Sequence, residues 1–148
     1  MESIPQSSRP AAPAPVPEAP LDVLFVDDDP DIIDVMTEFL RRSGYSVQGA
    51  RDGQVALKVL HKRPVAAVVT DILMPQVDGY ELIMKLRQTP HRPRIIAMSG
   101  NPSKIGVDFL KSAQQLGADR VLPKPFLPQS LLKLVQEVIG PPKPPAAA

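Results

Sequence analysis

Leu21-Asp22-Val23-Leu24-Phe25-Val26, followed at once by Asp27-Asp28-Asp29-Pro30, is the stretch on which the fold turns. A short run that is apolar at nearly every position fits a strand covered on both faces, not one with a wet side. Asp29 and Pro30 then mark a helix start, a side chain able to cap the first turn followed by a residue with a preset φ. Behind them Ile32, Val35, Met36, Phe39 and Leu40 recur at helical spacing, and Gly44 supplies the stop. A strand running directly into a helix is half of a parallel crossover.

The unit repeats along the chain. Ser46-Val47-Gln48 precedes a helix carrying Val55, Ala56, Val59 and Leu60, and Ala66-Ala67-Val68-Val69 precedes one carrying Leu82, Ile83 and Leu86. Arg94-Ile95-Ile96-Ala97-Met98 leads to a helix with Ile105, Phe109, Leu110 and Ala113, ended at Leu116-Gly117. Val121-Leu122 leads to one with Leu131, Leu134, Val135 and Val138, stopped at Gly140 before Pro141. Five such repeats predict an α/β fold, a doubly wound parallel sheet with helices on both faces. In sheets of this kind ligands bind beyond the carboxyl ends of the strands, so those ends are where chemistry is expected.

Composition sets the limits. A chain of 148 residues fits one domain with one hydrophobic core. Of 19 prolines, six fall in residues 1–20 and four in the last eight. Both ends therefore read as disordered Pro/Ala-rich tails, 1–20 and 141–148, around a folded unit over 21–140. With 17 basic and 16 acidic residues there is no global field for nucleic acid or an anionic membrane. Cysteine is absent, which excludes disulfides, thiolate catalysis and Cys-ligated zinc. Residues 1–20 lack the basic start and apolar stretch of a secretory signal, and no segment is long and apolar enough to span a bilayer, so a cytoplasmic location is expected.

The strand ends carry Asp27-Asp28, Asp71, Ser99 and Lys124 in turn. Three carboxylates brought together resist full ionisation unless a hard divalent cation with a preference for oxygen ligands neutralises them; Mg²⁺ is the expected ion. A lysine and a hydroxyl on the same rim suit a tetrahedral phosphoryl group, Lys124 as a point charge and Ser99 as a hydrogen-bond donor. Asp71, after the third strand, is then placed to attack a phosphoryl donor and form an acyl phosphate.

These residues give the chain its resemblance to the receiver domain of two-component response regulators. The matching stretches are Val26-Asp27-Asp28-Asp29, Thr70-Asp71-Ile72-Leu73-Met74-Pro75 with Asp78-Gly79, Ala97-Met98-Ser99-Gly100 and Pro123-Lys124-Pro125-Phe126, which together cover nearly all of 21–140. The resemblance implies the flavodoxin-like strand order 2-1-3-4-5. It implies that Asp27, Asp28, Asp71 and the backbone carbonyl of Leu73 hold the metal, that Asp71 is the phosphoacceptor, and that Ser99 and Lys124 serve the phosphoryl group. The implied donor is a phosphohistidine on a sensor histidine kinase or a histidine phosphotransfer protein. With no output domain after Gly140, a stand-alone regulator is expected, acting by docking to a downstream target protein or by phosphorelay. It would be no enzyme beyond its own phosphorylation and dephosphorylation, with neither nucleic-acid binding nor membrane insertion.

Singly, each of these residues has a plain structural reading. Acidic residues before a helix complement its dipole, Ser99-Gly100 is a turn and Lys124 a solvated charge; it is their coincidence at successive strand ends that favours a site. Pro125 matches a position where the family has a cis peptide, although a trans bond is the commoner outcome for X–Pro. Arg92 and Arg94 read as solvated surface. Rival readings are a haloacid-dehalogenase-like phosphatase using Asp27 and Asp29, a flavodoxin-like electron carrier, and a non-phosphorylated docking module. Pro30 and the lack of a second acidic pair after the fourth strand weigh against the first, and the anionic first loop against the second. One departure from the receiver pattern stands out: Val121 occupies a position where many receivers carry tyrosine or phenylalanine.

Overall fold

The structure, a computed structural model, describes residues 19–72, 79–89, 92–99, 115 and 117–143. Its elements are β1 (Leu21–Val26), α1 (Pro30–Arg42), β2 (Val47–Ala50), α2 (Gly53–Lys62), β3 (Val65–Asp71), α3 (Gly79–Arg87), β4 (Arg94–Ser99), β5 (Arg120–Pro123) and α4 (Pro128–Ile139). The strands form one parallel sheet in the order β2-β1-β3-β4-β5. The expected topology is thus present. The helix expected over Ile105–Ala113 lies outside the described residues, as do Leu73, residues 1–18 and residues 144–148.

The apolar strands divide their side chains between two layers, as a period of two requires. Leu24, Val26, Val68 and Ala97 join Ala56, Val59, Leu82, Ile83 and Leu86 beneath α2 and α3. Val23, Phe25, Val69, Ile96 and Met98 face Met36, Leu40, Leu131 and Val135 beneath α1 and α4. A sheet clothed on both faces exposes only its two ends, and the carboxyl end is the one that collects the acidic residues.

Local signals start the helices where the sequence places them. The Asp29 carboxylate accepts the Asp31 N–H at 2.9 Å and Pro30 opens α1. Asp52 does the same for α2, accepting from the Val55 N–H at 2.8 Å. The domain grips the chain at the edges of 21–140 and beyond them as well. Arg63 Nε donates to the Ala19 carbonyl at 2.8 Å, and Tyr45 Oη donates to the Gly140 carbonyl at 2.7 Å. At Gly44 (φ 105°) an added Cβ would lie 2.9 Å from Pro142 Cβ, so the chain leaving α4 passes directly over the turn after α1.

Candidate functional site

Register builds the site before any side chain is considered. Val26 pairs with Thr70 across β1 and β3, so Asp27 emerges beside Asp71. Asp71 pairs with Met98, and Ser99 with Pro123, so Lys124 leaves the sheet at the same edge. Asp71 and Ser99 are the last residues of β3 and β4, not the first residues after them. The Ser99 side chain and the Leu73 carbonyl lie outside what is described.

Asp27 is fully buried and Asp71 nearly so, while Asp28 is exposed. Burial of a carboxylate is unfavourable without partners, and both have them. Asp27 Oδ1 accepts the Asp29 N–H at 2.9 Å, which fixes its rotamer, and its backbone N–H is held by the Ala50 carbonyl at 3.1 Å. Lys124 reaches across from the end of β5 and donates through Nζ to Asp27 Oδ2 at 2.6 Å and to Asp71 Oδ2 at 2.9 Å. One ammonium therefore ties three strands of the sheet together at their carboxyl ends.

The electrostatics follow. Burial alone would lower the Lys124 ammonium, but the hydrogen bonds and charges of Asp27 and Asp71 outweigh it and hold the group above the ordinary lysine value. Partial burial pushes the Asp28 carboxyl above its usual range, helped by a hydrogen bond and repulsion from Asp27 and by the charge of Asp71. A ligand oxygen from each of Asp27, Asp28 and Asp71 lies within 4.8 Å of the others. Three carboxylates and one ammonium sum to two net negative charges, and every donor is a hard oxygen. That set fits a divalent ion such as Mg²⁺, with Asp28 the member that no side-chain cation among the described residues pairs with.

The expected residues Asp27, Asp28, Asp71 and Lys124 are thus brought together. The double salt bridge of Lys124 was not foreseen: sequence reading gave the lysine to a phosphoryl group alone. Opposite charges at the ends of neighbouring strands were the available signal. The Lys124–Pro125 peptide is cis, as the family resemblance implies and unlike the commoner trans outcome for X–Pro. Val121 is a partly buried residue packed on the layer beneath α2 and α3.

Comparison with known proteins agrees with this geometry. The family model for the response regulator receiver domain matches residues 23–136. The regulatory protein VanRc of Enterococcus gallinarum is 32% identical over 115 residues, which is 77% of this chain and 48% of that protein. The chain spans about half the length of the curated relatives it matches. Among solved structures, the chemotaxis protein CheY4 of Vibrio cholerae superposes with a TM-score of 0.72 at 29% identity, covering 80% of this chain and 98% of that one. A response regulator from Chloroflexus aurantiacus, described as putative in its own structure, gives 0.72 at 32% identity, with 80% and 97% covered.

Proposed function

The chain belongs to the response regulator receiver domain family, and from that premise we propose that Asp71 accepts a phosphoryl group from a phosphohistidine on a sensor histidine kinase or histidine phosphotransfer protein. In that step an Asp71 carboxylate oxygen forms the new P–O bond as the P–N bond to the donor imidazole breaks, so the products are an acyl phosphate and a free histidine. The observation that carries the reading is the Lys124 ammonium shared between Asp27 and Asp71. Once Asp71 is phosphorylated its charge moves outward onto the phosphoryl oxygens, and the ammonium can follow while keeping its contact with Asp27. Asp27, Asp28, Asp71 and the Leu73 carbonyl would hold Mg²⁺, which when bound supplies charge neutralisation for nucleophile and phosphoryl group. Both Asp27 oxygens already have partners, which supports Asp28 as the direct ligand and Asp27 as one acting partly through water. Ser99, ending β4, is assigned to donate to the phosphoryl group.

The proposed output is phosphorylation-dependent docking to a protein target or onward relay. The even charge balance supports a protein partner and not nucleic acid. Among the described residues no helix is long and apolar enough to cross a membrane, and the proposed phosphohistidine donor supports a cytoplasmic location. In this reading the chain catalyses only its own phosphorylation and dephosphorylation. Incubation with acetyl phosphate and Mg²⁺ tests it. Wild type should gain one phosphoryl group by intact mass, Asp71→Asn none, and metal-free wild type far less. Labelling of Asp71→Asn at the wild-type rate would overturn the assignment.

A further inference from the structure

The helix α1 buries less of its apolar face than its sequence offers. Val35 belongs to the helical stripe of Ile32, Met36, Phe39 and Leu40, yet it is 56% exposed, and Phe39 is only partly buried. Beside these two residues a groove runs between α1 and the start of α4, lined also by Pro128, with Asp34, Glu38 and Arg42 along its rim. The rim makes little demand on an occupant, because Arg42 Nε already donates to Glu38 Oε2 at 2.7 Å. An aliphatic residue, an aromatic ring and a proline suit an uncharged, extended segment rich in proline.

The exit of the chain leads to this groove. Where α4 ends, the Gly140 carbonyl accepts from Tyr45 Oη at 2.7 Å, which pins the exit to the turn after α1. Pro142 then lies partly buried against Gly44, where an added Cβ would stand 2.9 Å from Pro142 Cβ. Arg42, on the groove rim and last in α1, is two residues before Gly44. The chain is thus delivered to one end of the groove. Beyond Lys143 the sequence is Pro144-Pro145-Ala146-Ala147-Ala148, with no charged side chain. An extended proline-type segment of that length reaches roughly 15 Å. The path along α1 from Arg42 back to Asp34 is about 12 Å.

We propose that residues 144–148 fold back along α1 and cover the groove at Val35 and Phe39. The contact needs little intrinsic affinity, because a segment on so short a tether acts at an effective concentration on the order of millimolar. The cover is removable, and α1 begins directly after Asp27, Asp28 and Asp29. A protein that docks on this face of α1 therefore has to displace the tail first.

Cysteine is absent from the chain, so Ala148→Cys accepts a single nitroxide label. In the full chain, paramagnetic quenching of amide NMR signals should be strongest at 34–39, whereas a tail held only at its anchor would quench 41–46 most. Val35→Gln, at an exposed position, should return the maximum to the anchor. In unlabelled protein the same substitution should shift the amides of Ala146, Ala147 and Ala148. Met84→Gln, at an exposed residue of α3, should do neither. Four results would each overturn the assignment: quenching strongest at 41–46, tail amides unmoved by Val35→Gln, equal changes in Met84→Gln, or quenching at 34–39 when label and isotope are on different molecules, which would give the groove to a second copy.

Discussion

Replacing Lys124 by methionine keeps the length of the stem and removes the ammonium, which leaves two carboxylates facing one another with no cation between them. The Asp27 side chain is fully buried, that of Asp71 is 9% exposed and that of Lys124 16%. At 2.6 and 2.9 Å each contact carries a gross attraction of about 6 kcal/mol at an effective dielectric constant of about 20, most of it offset by desolvation. Removing one partner of a buried pair costs about 3–5 kcal/mol, and the residual exposure of the lysine puts this case near 3. Unfolding entropy of about 2.1 cal/mol/K per residue over roughly 120 folded residues converts that to a fall in Tm of about 12 °C. The sign with pH is fixed by the raised folded value of Lys124. Its contribution is fully present below the ordinary 10.5 and is lost as pH rises through the higher folded value, so a melt at pH 7 reads all of it. Circular dichroism melts in chelator should show the loss, and an Asp71→Asn background should shrink it by removing one of the two negative charges that the ammonium serves. A fall below about 4 °C, or the same fall in both backgrounds, would refute the reasoning.

Asp28→Asn tests the acidic cluster with the opposite sign. Because the Asp28 carboxyl is raised above 3.8 in the fold, its stabilising effect is present below that pH and lost as pH rises through the folded value. In chelator the variant should therefore gain on wild type as pH rises from acid to neutral, and Mg²⁺ should raise the Tm of wild type far more than that of the variant; parallel curves would contradict this. Tyr45→Phe removes the hydroxyl that donates to the Gly140 carbonyl and should cost about 1 kcal/mol, or about 4 °C, in a thermal melt. Val121 has no ring to relocate, so beryllofluoride should shift amides strongly near Asp27, Asp71, Ser99 and Lys124 but only modestly across residues 104–116 and 128–139. Undiminished shifts on that face in Val121→Ala would show that the missing aromatic does not limit coupling.

Much of this was legible because the signals were local. Apolar runs buried on both faces announced a parallel sheet, Asp29-Pro30 announced α1, and the proposed stops Gly44, Gly117 and Gly140 all take positive φ. Strand limits were less legible where composition and pairing disagree. Ser46-Val47-Gln48 marks β2 by its valine, yet Ser46 closes the strand start by exchanging hydrogen bonds with Asp22, and the ladder runs on to Gly49 and Ala50 opposite Phe25 and Val26. Asp71 reads as the residue after the third strand, but it and Thr70 are buried inside that strand. The Thr70 hydroxyl donates to the Asp71 carbonyl and Asp71 accepts from Lys124, partners that no local pattern displays.

The most direct measurement is to locate the phosphoryl group itself. Wild type phosphorylated in Mg²⁺ and then reduced with borohydride converts an aspartyl phosphate to homoserine, and peptide sequencing by mass spectrometry places the converted residue. Conversion at Asp71, with Asp27 and Asp28 intact and none in metal-free protein, is the predicted result. Conversion at another aspartate, or a stable phosphate on a serine, threonine or histidine with Asp71 unmodified, would contradict it.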